Sequence, residues 1–159
     1  YAPGAPRVMN GTLLMLHVLL ALVRYTAFAV AFLYSVMYLL LHREVRSGRF
    51  GLLFRKLPSL EELDDMNFRA SLIGLLFLLV SMLLGFAWAQ LTFGILPLHD
   101  TKVMMTAFTW LVYLAVLVFK TLFGWQGRRM AILSVCGFAL VMISLIIVNV
   151  MPHTFHSTY

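Results

Sequence analysis

Charge is scarce in this sequence, and acid is scarcer. Only 11% of its 159 residues are charged, with six Asp and Glu against twelve Lys and Arg. Five of the acids lie between Glu44 and Asp65, and Asp100 is the sixth. A water-soluble domain of this length exposes much of its chain and needs polar side chains to cover it. At 62% hydrophobic, this chain cannot supply them, so the membrane class is read first. Cysteine is nearly absent too. Cys136 stands alone inside an apolar run, which excludes an internal disulfide and reads as a packing residue. No Cys-x-x-Cys-His occurs, which excludes covalent attachment of a c-type haem. No nucleophile triad, phosphate-binding loop or paired-carboxylate site stands out, so nothing marks the chain as an enzyme by itself. The net charge of +6 does not signal nucleic acid, because the basic residues fall in short connections between apolar runs. The chain opens on Tyr1 rather than methionine and shows no signal peptide, so it is expected to be processed or the C-terminal part of a longer protein.

What is present is a set of four apolar runs, about 13–41, 70–91, 103–119 and 130–151. Each is long enough for a helix to cross a bilayer, which takes ~20 residues, and the first is long enough to tilt or to extend past the membrane. Trp88, Phe93, Phe123, Trp125 and Tyr159 lie near the ends of runs, where interfacial aromatics belong. The 42–69 connection holds Arg43, Arg46, Arg49, Arg55, Lys56 and Arg69, and the last connection holds Arg128 and Arg129. The other side has only Arg7 and Lys102. Positive charge marks the cytoplasmic side. The expectation is one all-α integral membrane domain of four transmembrane helices in the lipid bilayer of the plasma (bacterial inner) membrane. Both termini and a 92–102 hairpin are placed on the outer face. In "PSLEELDD", Ser59 and Glu62 have the spacing of a capping box, which predicts a short cytoplasmic helix leading into the second span. Gly74, Ser81 and Gly85 are read as helix-contact residues.

Some polar residues sit where an apolar span should exclude them. Arg24 lies deep in the first run, and an intramembrane arginine costs several kcal/mol unless paired or hydrated. Two readings stand: it bonds backbone carbonyls or pairs with Asp100, or it faces a ligand. His17 precedes it by two helical turns, on the same face and roughly 10 Å away along the axis. His17, His99, His153 and His156 all fall at one membrane face, while His42 adjoins Arg43 at the other boundary. Paired axial histidines can hold a b-type haem; zinc is the competing ligand, and packing is the plain reading. Asp100 and Lys102 lie beside His99 in the hairpin. Asp100 is placed to cap the third span, which leaves Lys102 in its first turn seeking an anion.

The ordered pattern resembles a known family. "LMLHVLLALVRYTAFAVAFLYSVMYLL" resembles the span that opens the C-terminal half of the CcsA-like cytochrome c assembly proteins. "LEELDDMNFRASLIGLLFLLVSMLLGFAWAQ" resembles the next span, and "GWQGRRMAILSVCGFALVMISLIIVNVMPHTFHSTY" resembles the last. The family's tryptophan-rich outer loop is reduced here to Phe93 and Gly94, with Pro97 and His99 in place of the later tryptophans, followed by Asp100, Thr101 and Lys102. "DTK" is more similar to the HemX-like branch. The family histidine in the span after this loop has no counterpart near Val118 and Phe119, a departure from transmembrane haem transport.

This resemblance implies a non-covalent b-type haem with His17 and His156 as its axial metal ligands, near the extracytoplasmic face. Arg24, Asp100 and Lys102 then line the cofactor site. It implies haem handling for cytochrome c maturation or electron transfer, with other membrane subunits or maturation proteins as partners. Two alternatives remain open: a HemX-like regulator or accessory subunit without its own haem, and a quinone-binding redox module using Arg24.

Overall fold

The computed structural model describes residues 7–48, 51–93 and 101–150. They form α1 (Arg7–Ser47), α2 (Leu52–Lys56), α3 (Leu60–Phe93), α4 (Thr101–Phe123) and α5 (Arg128–Val150). Among the described residues there is no strand. Four of these helices are long and apolar enough to cross a membrane.

The helix boundaries run past the apolar runs, and the reasons are local. With 41 residues, α1 is roughly 60 Å long, about twice the ~30 Å hydrocarbon core, so its polar "HREVRS" end emerges from the membrane. The acidic lead and the second span are one continuous helix, α3, rather than a short helix followed by a span. Nothing in the lead breaks a helix, and the capping box sits at its start. Glu62 accepts from the Ser59 backbone N–H at 2.9 Å, and Ser59 Oγ accepts from the Glu62 N–H at 3.2 Å. The one-turn α2 has no clear sequence signal; its Phe54 N–H donates to the Glu44 carboxylate at 3.2 Å, which ties the connection to the end of α1. α4 continues to Phe123, and Trp125 N–H then reaches back to the Phe119 carbonyl at 3.3 Å. At the turn into α5, Gly127 has φ +72°, and an added Cβ there would lie 2.7 Å from the Tyr38 hydroxyl.

α1 packs chiefly on α3 and then on α5, while α4 packs on α5 and α3. His17 meets Ser81, and Phe28 meets Gly74, so α1 and α3 run antiparallel. The inward stripe of α1 is Phe28, Ala31, Ser35, Tyr38 and Leu41, at helical spacing. Small residues make the close approaches: Ser35, Ser71, Ser81, Ala131 and Ser134 are all nearly inaccessible. Around Gly74 the backbone comes so near α1 that a Cβ would sit 2.5 Å from Phe28 Cε1. The Phe28 ring stacks on Tyr113 of α4 at 4.0 Å, and Leu75, Leu78, Leu117 and Val141 complete that core. A second core near α2 joins Tyr38, Leu41, Leu63 and Ala131.

Two polar ties cross the bundle on this α2 side. Asn67 Oδ1 accepts from Ser134 at 2.9 Å and from Ser71 at 3.4 Å, linking α3 to α5 in a buried site. Lys120 of α4 donates to Asp64 of α3 at 2.7 Å, both side chains being largely buried, and lies 4.8 Å from the centre of the Phe68 ring.

Candidate intramembrane site beside His17 and Arg24

His17 and Arg24 lie on the same side of α1, in the half of the bundle away from α2. The His17 ring is partly buried against α3. Its Nδ1 is 2.8 Å from the Ser81 carbonyl oxygen and 3.3 Å from Ser81 Oγ. A carbonyl only accepts, so Nδ1 carries a hydrogen, and in the neutral ring Nε2 carries the lone pair. The ring fits because Gly85 lies beneath it: a Cβ there would be 3.2 Å from His17 Cε1. One backbone carbonyl thus fixes both tautomer and ring plane, the arrangement usual behind a metal-binding imidazole.

One turn beyond Ala21, the Arg24 guanidinium spans the Tyr25 ring at 4.7 Å from its centre, and Nη2 donates to the Tyr25 hydroxyl at 3.0 Å. Its Nε is buried without a partner, as are Trp110 Nε1 and the Tyr113 hydroxyl. All four spanning helices line a small cavity here: Arg24, Tyr25 and Phe28 from α1, Leu78 from α3, Thr106 and Thr109 from α4, Val141 and Ser144 from α5. About 20 Å³ of it is open to the centre of a water-sized sphere, enough for one water or one small polar group.

Sequence reasoning singled out His17 and Arg24 but not the residues that face them. Thr106 and Thr109, three apart on α4, and Ser144 on α5 are hydroxyls in apolar runs, and that was the available signal. Ser81 was read as a small contact residue, not as the acceptor for His17. Lys102 falls in the first turn of α4. His156 and Asp100 lie outside the described residues, as do His99 and His153. Among the described residues no group of three His, Cys, Asp or Glu side chains could hold a metal. At the far end, Glu61, Glu62, Asp64, Asp65, Lys120 and Gln126 surround a wider crevice of about 380 Å³. Its ion pairs, Lys120–Asp64 and the exposed Arg69–Asp65, are both at 2.7 Å.

Four apolar helices packed through small residues define an all-α, multi-pass membrane protein. Residues 5–156 match the cytochrome C assembly protein family, and the chain belongs to that family. It is 35% identical to Protein HemX of Brevibacillus brevis over 67% of this chain and 39% of that protein. With the cytochrome c biogenesis protein CcsA of Parasynechococcus marenigrum it shares 32% identity over 98% of this chain and 58% of the relative. Protein HemX of Bacillus subtilis is 29% identical over 83% and 48%. The chain therefore spans about half the length of the curated relatives it matches. No solved structure matches it.

Proposed function

We propose that this chain handles haem at the extracytoplasmic face of the plasma membrane, in cytochrome c maturation or electron transfer, with other membrane subunits or maturation proteins as partners. His17 and His156 would hold a b-type haem there, by coordinating its iron and without covalent attachment. The observation that carries this reading is the Ser81 carbonyl behind His17, which keeps the hydrogen on Nδ1 and leaves the lone pair on Nε2, as a ligand needs. Gly85 leaves room for the ring to hold that position. Arg24, Asp100 and Lys102 supply the charged surroundings. Such a haem would supply a one-electron centre or would itself be the cargo. The excess of Arg and Lys on the α2 side and in the α4–α5 turn supports placing that end in the cytoplasm and both termini outside.

The test is a reduced-minus-oxidised absorption spectrum of the purified chain. A low-spin b-type spectrum is expected. His17→Ala or His156→Ala should abolish it or make it high-spin, while His153→Ala and His99→Ala should leave it in place. A colourless protein that also fails to bind added haemin would overturn the reading. It would favour the second one, a regulator or accessory subunit without its own haem. The reduced "FGILPLHDTK" hairpin and the similarity to two HemX proteins support that alternative.

A further inference from the structure

We propose that the cavity beside Arg24 is a carboxylate-binding site within the bundle, taking one carboxylate group from a larger amphiphile. A guanidinium is a permanent charge, and in a membrane-crossing helix it needs an anion or water. Tyr25 supplies one acceptor and a ring face, both neutral. The Nε hydrogen is buried without a partner, and Arg24 lines an acceptor-sized space. Every acid among the described residues lies at the opposite end of the bundle; on α1 itself, Glu44 is 20 positions from Arg24, roughly 30 Å along the axis.

The cavity selects the ligand class by size and by donors. About 20 Å³ is open to the centre of a water-sized sphere, which suits a small polar head such as a carboxylate. Nε and the second hydrogen of Nη2 form the side-on fork that matches two carboxylate oxygens. The Ser144 hydroxyl lines the same space and can turn to donate. Thr109 gives its hydrogen to the Met105 carbonyl at 2.8 Å and so faces the cavity as an acceptor, which suits a bridging water beside the anion. The group's apolar remainder would lie among the lipid-facing side chains or toward His17, two turns away on the same face.

Two sources carry such a group: a porphyrin propionate, which rests on the haem reading above, and a fatty acid, which does not. Both are tested on the purified full chain in detergent. Haemin is compared with haemin dimethyl ester by absorption titration, and palmitate with methyl palmitate by thermal stabilisation. The free acid should bind tighter than its ester by roughly 10-fold or more in at least one pair. Arg24→Leu should bring that ratio to about 1, and Arg24→Lys should keep part of it. Preference in one pair alone names the source. A ratio of about 1 in both pairs would mean that a single water fills the cavity, and the proposal falls while haem binding can stand. An acid preference that survives Arg24→Leu also overturns it. Failure of both porphyrins to bind removes the haem reading, and the fatty-acid pair then decides the carboxylate site alone. If Asp100→Asn destabilises the chain as much as Arg24→Leu and neither acid is preferred, the counterion is internal and the proposal is wrong.

Discussion

Gly74→Ala should loosen the centre of the bundle, although in an exposed helix the same change is favourable. The new methyl carbon would lie 2.5 Å from Phe28 Cε1, 2.7 Å from Cδ1 and 3.1 Å from Cζ, so it meets the whole edge of the ring. An ordinary carbon contact is 3.5–4.0 Å, so ring or helix must move by roughly 1 Å. The ring has nowhere to go. Phe28 is 1% exposed and stacked at 4.0 Å on Tyr113. Tyr113 is itself backed by Gly137, where a Cβ would lie 3.2 Å from Cζ. Glycine, ring, ring and glycine thus form one row through α3, α1, α4 and α5. Overpacking of this kind costs about 1–3 kcal/mol. Replacing a helical glycine returns about 1 kcal/mol, so the net loss is roughly 0–2 kcal/mol, and the deficit against a clash-free glycine site is roughly 1–3 kcal/mol. Gly11→Ala is the control, since nothing lies within 4 Å of its added Cβ, and it should be neutral or slightly stabilising. Unfolding in mixed micelles, followed by tryptophan fluorescence, measures both. Adding Phe28→Leu to Gly74→Ala should relieve the clash, so the double variant loses less than the sum of the single ones. If Gly74→Ala is as stable as Gly11→Ala, the packing of α1 on α3 described here is wrong.

Other outcomes follow from single contacts. Lys120→Met leaves Asp64 largely buried and unpaired and should cost roughly 3 kcal/mol in the same unfolding assay; Asp64→Leu with Lys120→Met should recover most of that. Ser59→Ala removes one half of the capping box and should cost about 1 kcal/mol, with helix content lost only at the start of α3. Gly127→Ala should cost about 1–3 kcal/mol, through its positive φ and the clash with the Tyr38 hydroxyl; Tyr38→Phe relieves the second part and not the first. For topology, in a Cys136→Ser background of intact cells, a membrane-impermeant thiol reagent should reach Ser157→Cys and miss Ser47→Cys; labelling at position 47 alone would reverse the orientation.

The sequence by itself determined the membrane class, the four crossings, the capping box and the two polar residues of α1 that an apolar helix should not contain. These are properties of one segment at a time: hydropathy over ~20 residues, a three-residue spacing, a charge in the wrong solvent. The acidic lead was legible as a helix start, but not as one continuous helix with the span behind it. Which face of each helix turns inward was not legible, because lipid and bundle interior are both apolar and the usual polar–apolar contrast is missing. Small residues carry that information instead, and a small residue does not name the ring that will press on it. Only the tertiary structure decided that Gly74 receives Phe28, that Asp64 holds Lys120 across 56 positions, and that Asn67 holds Ser134 across 67. Only it gave His17 its acceptor at Ser81, 64 positions away, and left the Nε of Arg24 without a partner in a residue that lines a cavity built from all four spanning helices. Each of these depends on two distant segments arriving at one place, and no local pattern in either segment encodes the other.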